Sequence, residues 1–423
     1  QSNSPNLHSD STYGKSAWKK FSLKEKIAQM IMVRVRGDYY NSEYWYRKSL
    51  QKWLSTDGIG GIISFGGSIH GSYYNIQQFQ EWAKYPLLVA SDYERGLGQM
   101  MNGATLFPTN MALTATGDPD LAYAQGKITA LEAHALGVQV SFSPVMDINN
   151  NPDNPIINFR SYSDNPKEVA RFGTAFIKGA EDNGLITCAK HFPGHGNTAT
   201  DSHTSLPTIH GTRSELDMME LYPFRAAVDA NVGMIMIGHI AMPGIDASGK
   251  PASHSYSITS ELLLNEWNFD GIIITDGLDM GSITESAWAG ESAVRAVEAG
   301  ADILLLPMDV DHAISSLIKA VESGRITQKR IDQSVEKIWN MKWETDLLRG
   351  EYQLPFKELE KFIGNPEHMQ LSRKIAQKSI TIVKDENDQL PLKPERIDSL
   401  AHIILTLDDN AQGYLKSFSR DIH

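Results

Sequence analysis

Residues 185–207 read Leu-Ile-Thr-Cys-Ala-Lys-His-Phe-Pro-Gly-His-Gly-Asn-Thr-Ala-Thr-Asp-Ser-His-Thr-Ser-Leu-Pro. The stretch begins as a short apolar run and continues as a loop rich in glycine, proline and threonine. A loop of this kind, at the end of a buried strand, can present several titratable groups to one cleft. Within it, Asp201 and His203 form an Asp-x-His pair, in which a carboxylate orients an imidazole for proton transfer. The stretch therefore predicts a strand followed by a loop that contributes catalytic residues.

Short apolar runs of this kind occur eight times along the chain. The runs lie at residues 30–35, 61–65, 86–90, 138–142, 185–189, 233–237, 271–274 and 302–306. Each is almost continuously apolar, as expected for parallel strands that are covered on both faces. Helical patterns lie between the runs, at residues 121–136, 166–183, 214–230 and 257–267. Eight β–α alternations predict an α/β fold, a TIM-like (β/α)₈ barrel with long loops.

Two helix starts have capping signals. Ser22 is followed three residues later by Glu25, the pattern of a capping box, and Ser214 with Asp217 is a weaker form of it. These pairs predict the first residues of the helices that follow them.

Composition excludes several classes of protein. The 423 residues carry a net charge of −12 with 41% hydrophobic residues, which argues against a nucleic-acid or anionic-membrane partner. No apolar stretch approaches the roughly 18–20 residues that a membrane span needs. The single cysteine, Cys188, excludes an intramolecular disulfide and a cysteine-rich metal site, and its apolar run predicts an inert buried thiol.

Beyond the eighth run, the sequence no longer follows the β–α alternation of the barrel. Residues 328–343 have a helical stripe expected to cover the barrel, and a linker is expected around residues 348–356. A helix at 371–380 and short strands at 381–383 and 402–407 are predicted next. This segment is too short for a core of its own, so it either docks on the barrel or opens a further domain. The polar residues that follow Gln1 are typical of a chain whose signal peptide was cleaved or whose N-terminus was shortened.

A second stretch, residues 271–280, reads Gly-Ile-Ile-Ile-Thr-Asp-Gly-Leu-Asp-Met. Asp276 directly follows the apolar run and precedes Gly277, so we expect it at the barrel mouth on a rigid strand end, where it suits a nucleophile or a metal ligand. We favour it over Asp279, which falls in the following loop or helix start, where aspartate is common. Polar residues also follow the third to sixth runs: Asp92, Asp147, Lys190 with His191, and His239.

The motifs together resemble a known family. They are Lys-His-Phe-Pro-Gly-His-Gly at 190–196, Asp-Ser-His at 201–203, Leu-Pro at 206–207 and Thr-Asp-x-Leu-x-Met at 275–280, with further similarity at 92–96, 107–110, 143–147 and 160–166. In this order, over about residues 20–345, the chain resembles glycoside hydrolase family 3, in its β-N-acetylglucosaminidase branch. The tail from residue 379 is similar to the start of that family's second α/β sandwich domain. We therefore expect a catalytic barrel over residues 1–350, and a linker with the truncated start of a C-terminal α/β domain over 351–423.

The resemblance implies catalysis by double displacement with retention. Asp276 would attack the anomeric carbon and form a covalent glycosyl-enzyme, and His203, held and tuned by Asp201, would act as acid and base. Lys190 and Arg160 would keep the pKa of Asp276 low.

The resemblance also assigns the substrate contacts and the partner. Asp92, Arg160, Lys190 and His191 would bind sugar hydroxyls, whereas His195, between two glycines, is expected to brace its loop. The implied activity is that of an exo-β-N-acetylglucosaminidase, which removes terminal non-reducing β-linked N-acetylglucosamine from peptidoglycan fragments (muropeptides) or chitooligosaccharides. No cofactor and no metal are expected. This role in cell-wall turnover favours a periplasmic or extracellular location, with the cytoplasm as the alternative.

Other functions stay open at this point. A metal-dependent barrel hydrolase would use His191, His195, Asp201, His203 and Asp276 as ligands. Against it, the first strand lacks His-x-His, and a lysine beside the cluster would repel a cation. A sugar-binding protein without catalysis, a β-glucosidase-type enzyme and a phosphorolytic member of the family are further alternatives.

Overall fold

The protein is described here from a computed structural model that covers residues 13–199, 205–281, 289–350 and 352–385. Eight parallel strands form one sheet in the order β7-β6-β5-β4-β3-β2-β1-β8, and a parallel bridge between Ile274 and Ile303 joins the two ends. The sheet thus closes into the predicted (β/α)₈ barrel. The strands are β1 (Ile31–Gly37), β2 (Gly61–Gly67), β3 (Leu88–Ser91), β4 (Val140–Ser141), β5 (Ile186–Phe192), β6 (Met234–Ile237), β7 (Ile272–Thr275) and β8 (Leu304–Leu305).

Each predicted apolar run overlaps one of these strands. The runs are mostly apolar because the strands are covered on both faces, and every residue of β6 and β7 is buried. The register is parallel: Ile62 pairs with Val33 on one side and with Val89 on the other. All eight strands therefore end at one rim, where the polar residues that follow them are gathered.

Helices surround the barrel and alternate with its strands. They are α1 (Leu23–Gln29), α2 (Trp45–Lys52), α3 (Ile69–Trp82), α4 (Asn110–Ala115), α5 (Pro119–Leu136), α6 (Pro166–Glu181), α7 (Arg213–Met218), α8 (Tyr222–Asp229), the π-type helix α9 (Ser257–Glu266), α10 (Ala289–Ala299), α11 (Val310–Glu322), α12 (Gln328–Glu344), α13 (Leu359–Phe362) and α14 (Pro366–Ser379). Shorter turns of helix lie at Ala17–Lys20, Trp53–Asp57, Leu97–Gln99, Asn158–Arg160, Ala252–His254, Leu347–Arg349 and Phe356–Glu358. Among the described helices, none has the length and apolar character needed to span a bilayer.

One capping prediction is confirmed and one is wrong. Ser22 accepts from the Glu25 N–H while the Glu25 carboxylate accepts from the Ser22 N–H, which completes a capping box at α1. The predicted helix 214–230 is instead two helices, and the capping box at the first belongs to Thr212 with Glu215. Pro223 lies in the first turn of α8, where a proline is tolerated, but within one continuous helix it would clash with the preceding turn.

The boundary of the barrel unit lies later than the predicted residue 350. The chain divides into compact units between Ile380 and Thr381, so the segment expected as a linker belongs with the barrel. There, the Tyr73 hydroxyl donates to the Leu354 carbonyl at 3.1 Å, and α14 buries Ile375.

The C-terminal prediction is otherwise corrected or left open. Residues 381–383 do not form the predicted strand, and their side chains are exposed. The predicted strand 402–407 and the remainder of the expected second domain lie outside the described residues. The second domain therefore stays a prediction.

Candidate active site

A cavity of about 500 Å³ opens at the carboxyl ends of the barrel strands. Five residues predicted for the site line it together: Asp92, Arg160, Lys190, His191 and Asp276. They are far apart in sequence and meet because parallel strands end at the same rim of a barrel. Asp201 and His203, the predicted acid/base pair, lie outside the described residues, so their position relative to this cavity stays a prediction.

Asp276 lies directly after β7, and its backbone is fixed by the neighbouring strand. Its N–H donates to the Ile237 carbonyl of β6 at 2.9 Å, and its Oδ1 accepts from the Gly277 N–H at 2.8 Å. Burial alone would raise the pKa of Asp276, but the nearby His191 and His239, the Gly277 N–H and Lys190 hold it below its usual value. The carboxyl group is therefore ionised at neutral pH.

His239 supports the turn that carries Asp276. Its Nε2–H donates to the Gly277 carbonyl at 2.9 Å, so its Nδ1 accepts from the Ser253 hydroxyl at the same distance. The ring is fully buried, and burial lowers its pKa. His239 follows the sixth apolar run, but its function could not be predicted from the sequence, because Gly277, the partner that defines its position, lies beyond the next strand.

The opposite side of the cavity is a network of buried charges. The Lys190 ammonium donates to Asp92 at 2.6 Å and lies 2.9 Å from Glu94 Oε1. The Arg160 guanidinium donates to both Glu94 oxygens, from Nε at 3.1 Å and from Nη2 at 2.8 Å. Two cations and two carboxylates thus hold one another in place, with bidentate geometry at Arg160.

Glu94 is the residue of this network that sequence analysis missed. Burial alone would raise its pKa, but Lys190 and Arg160 keep the pKa far below its usual value. A signal was present, because Glu94 stands two residues after Asp92, and alternate residues of an extended chain point to the same side. Arg160 pairs with Glu94 in this network, and its expected effect on the pKa of Asp276 stays a prediction.

His191 is oriented by a second buried carboxylate. Its Nδ1 lies 2.7 Å from Asp147 Oδ2, and its backbone N–H donates to the same oxygen at 3.1 Å. Burial alone would raise the pKa of Asp147, but His191 and His195 lower it. Because a carboxylate only accepts, the proton of this contact lies on Nδ1, and the contact fixes the orientation of the ring.

His195 lies on the loop beside His191. Its backbone N–H donates to Asp147 at 2.6 Å, its carbonyl accepts from the Asn154 amide at 2.8 Å, and its Nδ1 lies 3.0 Å from the Thr198 hydroxyl. These contacts tie the loop to the residues beyond β4, as expected of a bracing residue. The ring also reaches the cavity wall.

Asp279 differs from Asp276 in its surroundings. It lies at the rim of the cavity, is exposed, and has Arg34 Nη2 at 3.4 Å. A Cβ at Gly277 would lie 2.8 Å from Asp279 Oδ1, so a larger residue there would require the Asp279 side chain to shift. Asp276 thus faces the enclosed part of the cavity, and Asp279 its entrance.

Within the described residues, no group of three His, Cys, Asp or Glu side chains is arranged to hold a metal ion. Two of the five residues of the metal hypothesis, Asp201 and His203, are outside that part of the chain. Cys188 is free and buried in β5, as predicted, and burial raises the pKa of its thiol.

Comparison with known proteins agrees with this geometry. The model of the glycosyl hydrolase family 3 N-terminal domain matches residues 22–341. The chain belongs to glycosyl hydrolase family 3. The matched residues contain all of the cavity described above, together with Asp201 and His203.

One curated relative and two solved structures are similar over most of this chain. A beta-hexosaminidase A of Pseudoalteromonas piscicida is 33% identical over 393 residues, which cover 84% of this chain and 64% of the relative. The structure of a family 3 beta-N-acetylglucosaminidase from Paenibacillus sp. str. FPU-7 has 36% identity and a TM-score of 0.79, covering 87% of this chain and 70% of that one. The structure of a beta-glucoside phosphorylase has 27% identity and a TM-score of 0.83, covering 90% and 69%. The chain thus spans about two thirds of the length of these proteins.

Proposed function

We propose that this family 3 chain is the catalytic part of a retaining exo-β-N-acetylglucosaminidase. Its substrates would be peptidoglycan fragments or chitooligosaccharides with a terminal, non-reducing β-linked N-acetylglucosamine. The observation that carries the proposal is an ionised carboxylate, Asp276, in a cavity whose other side is a fixed network of charged groups. The relatives named beta-hexosaminidase and beta-N-acetylglucosaminidase support the sugar specificity.

The first step is attack by Asp276 on the anomeric carbon. A carboxylate with a lowered pKa is the nucleophile that this step needs at neutral pH, and its product is a covalent glycosyl-enzyme. The bond to the leaving oxygen breaks as His203 gives that oxygen a proton. In the second step His203 takes a proton from water, which attacks the anomeric carbon and releases Asp276, so the configuration is retained. Asp201 would orient the imidazole in both steps.

The charged network is suited to binding the sugar hydroxyls. Asp92 and Glu94 are acceptors, Lys190 and Arg160 are donors, and each is held by an oppositely charged partner before substrate enters. Hydrogen bonds to charged groups are stronger than neutral ones, and groups fixed in advance lose little freedom on binding. A cavity of about 500 Å³ lies in the size range of small-ligand sites.

The test is replacement of the nucleophile. Asp276→Ala should lower kcat on an aryl β-N-acetylglucosaminide at least about 10³-fold, because the covalent step is lost. Added azide should restore turnover and give the α-glycosyl azide, since azide attacks from the face that the carboxylate has left. Asp279→Ala is the matched control and should keep most of the activity. Near-normal turnover by Asp276→Ala would falsify the assignment.

Phosphorolysis is the second candidate, favoured by the similarity to a beta-glucoside phosphorylase. An imidazole acid/base repels an incoming phosphate less than a carboxylate would. Turnover should be compared with and without phosphate, with detection of glycosyl phosphate. The same assay on aryl β-glucoside and aryl β-N-acetylglucosaminide would separate a glucosidase from the proposed enzyme.

A further inference from the structure

A second cavity, of about 650 Å³, adjoins the active-site cavity. The two share Arg34, Asp279 and Leu306, which lie at their common boundary. The wall of the second cavity comes from the end of β1, the segment into α2 and the loop after β8. A ligand that extends outward from the nucleophile past Asp279 therefore enters it.

Aromatic side chains form much of this wall. Two of them are largely exposed: Trp45 has 66% of its surface accessible and Tyr44 has 45%. Two others are fixed beneath, because the Tyr46 hydroxyl donates to the Arg34 carbonyl at 2.5 Å and the Trp53 indole N–H donates to Asp311 at 3.2 Å. Trp45 meets Tyr46 edge-on at 5.4 Å between ring centroids. The two exposed rings thus lie beside aromatic side chains that hydrogen bonds hold in place.

The charged side chains of this wall carry no net positive charge. Arg36 is paired with Asp38 at 2.7 Å, and Arg34 lies 3.4 Å from Asp279. With Asp309, the wall carries two arginines and three aspartates. A wall of this composition has no excess positive charge to attract an acidic peptide. Exposed aromatic faces beside polar pairs instead suit a neutral ring with apolar faces and hydroxyl edges.

We propose that this second cavity is the leaving-group site, where Trp45 and Tyr44 stack against the next sugar ring of an uncharged chitooligosaccharide. This inference rests on the proposed function and narrows its substrate class. It makes the segment from the end of β1 into the first turn of α2 a determinant of substrate choice, acting on affinity for the departing sugar. The bond-breaking chemistry stays at Asp276.

The test compares two substrates of the full chain. Trp45→Ala should raise KM for chitotriose about five- to tenfold, because one stacking contact is lost, while N-acetyl-β-glucosaminyl fluoride, whose leaving group carries no ring, keeps its KM. Trp45→Phe should restore most of the affinity for chitotriose. Tyr256→Ala is the matched control, since Tyr256 is similarly exposed, at 55%, and lines a separate cavity.

The outcomes separate the two proposals. If the unaltered protein cleaves neither substrate, the proposed function is contradicted, and this inference with it. If it cleaves the fluoride and chitotriose but Trp45→Ala leaves both KM values unchanged, the leaving-group site alone is wrong. If Trp45→Ala raises KM for a muropeptide measured in parallel but not for chitotriose, the choice of an uncharged sugar is wrong.

Discussion

Two lysines are buried at opposite ends of the barrel in opposite electrostatic surroundings. Lys190, at the mouth, lies between the carboxylates of Asp92 and Glu94. Lys342, at the base, donates to the Gln29 amide oxygen at 2.7 Å, and no carboxylate of the described residues lies within ion-pair distance of it. Burial alone would lower the pKa of Lys190, but its two carboxylates raise it above its usual value. Burial lowers the pKa of Lys342 to about 7.

The difference shows that the partners of a buried lysine decide its charge. Removing a cation from water is unfavourable at both ends, and only the mouth offers carboxylates that offset this cost. The mouth therefore keeps a full set of charges for binding a polar ligand. The base lets its lysine lose a proton and act as a neutral donor to Gln29 near neutral pH.

Breaking the network at the mouth should have the largest effect. Lys190→Met leaves Asp92 and Glu94 without their shared cation, so we expect a loss of about 3–5 kcal/mol in the free energy of unfolding. On an aryl β-N-acetylglucosaminide, kcat/KM should fall about 10²-fold or more, since the sugar-binding groups lose their fixed positions. Chemical denaturation and steady-state kinetics measure the two effects.

The control for this variant is an exposed ion pair. Lys178 pairs with Asp182 on α6 at 2.9 Å, and both side chains are largely exposed. Lys178→Met should change stability by less than about 1 kcal/mol and leave the kinetics unchanged. Equal effects of the two variants would remove the distinction between the mouth and an ordinary surface.

At the base of the barrel, replacing the buried lysine with methionine should raise the free energy of unfolding, whereas at the mouth it lowers it. The unfolded chain binds a proton at Lys342 up to a pH near 10.5, whereas the folded chain releases it near 7, so stability rises with pH between these values. Lys342→Met removes the titratable amine and keeps a side chain of similar volume. We expect it to stabilise the protein by about 1–3 kcal/mol at pH 7 and to reduce this rise.

Urea unfolding at pH 7 and at about pH 10 measures this prediction. Lys329, on the same helix α12, is exposed, and Lys329→Met is the matched control. Activity should not change in either variant, because both positions lie far from the mouth. Destabilisation by Lys342→Met at pH 7 would mean that the buried amine is charged and satisfied.

A more conservative substitution tests whether the geometry of the charge network at the mouth matters in addition to its charge. Arg160→Lys keeps the positive charge but loses the bidentate contact with Glu94, and we expect kcat/KM to fall about tenfold. Arg171→Lys is the control, because Arg171 pairs with Glu168 on the exposed surface of α6. If Arg160→Lys has wild-type kinetics, charge alone is sufficient at this position.

The eight strands could be predicted from sequence because their signal is local. A run such as 233–237 is apolar at every position only if both faces are covered, and that fixes its place in a parallel barrel. The positions of Asp92, Lys190 and Asp276 at the mouth followed, since each stands at or just after a strand end. The division of residues 214–230 into two helices was missed because the helical pattern outweighed the signal of Pro223.

What the sequence determined by itself is the barrel and the set of polar residues at its rim, because hydrophobic pattern and strand order bring them to one end. The tertiary structure alone decided which charges meet. Glu94 lies between Lys190 and Arg160, His239 holds the turn after Asp276, and Lys342 lies against an amide. The physical reason is that ion pairing and desolvation depend on distances of a few ångströms between residues far apart in the chain, which no local pattern encodes.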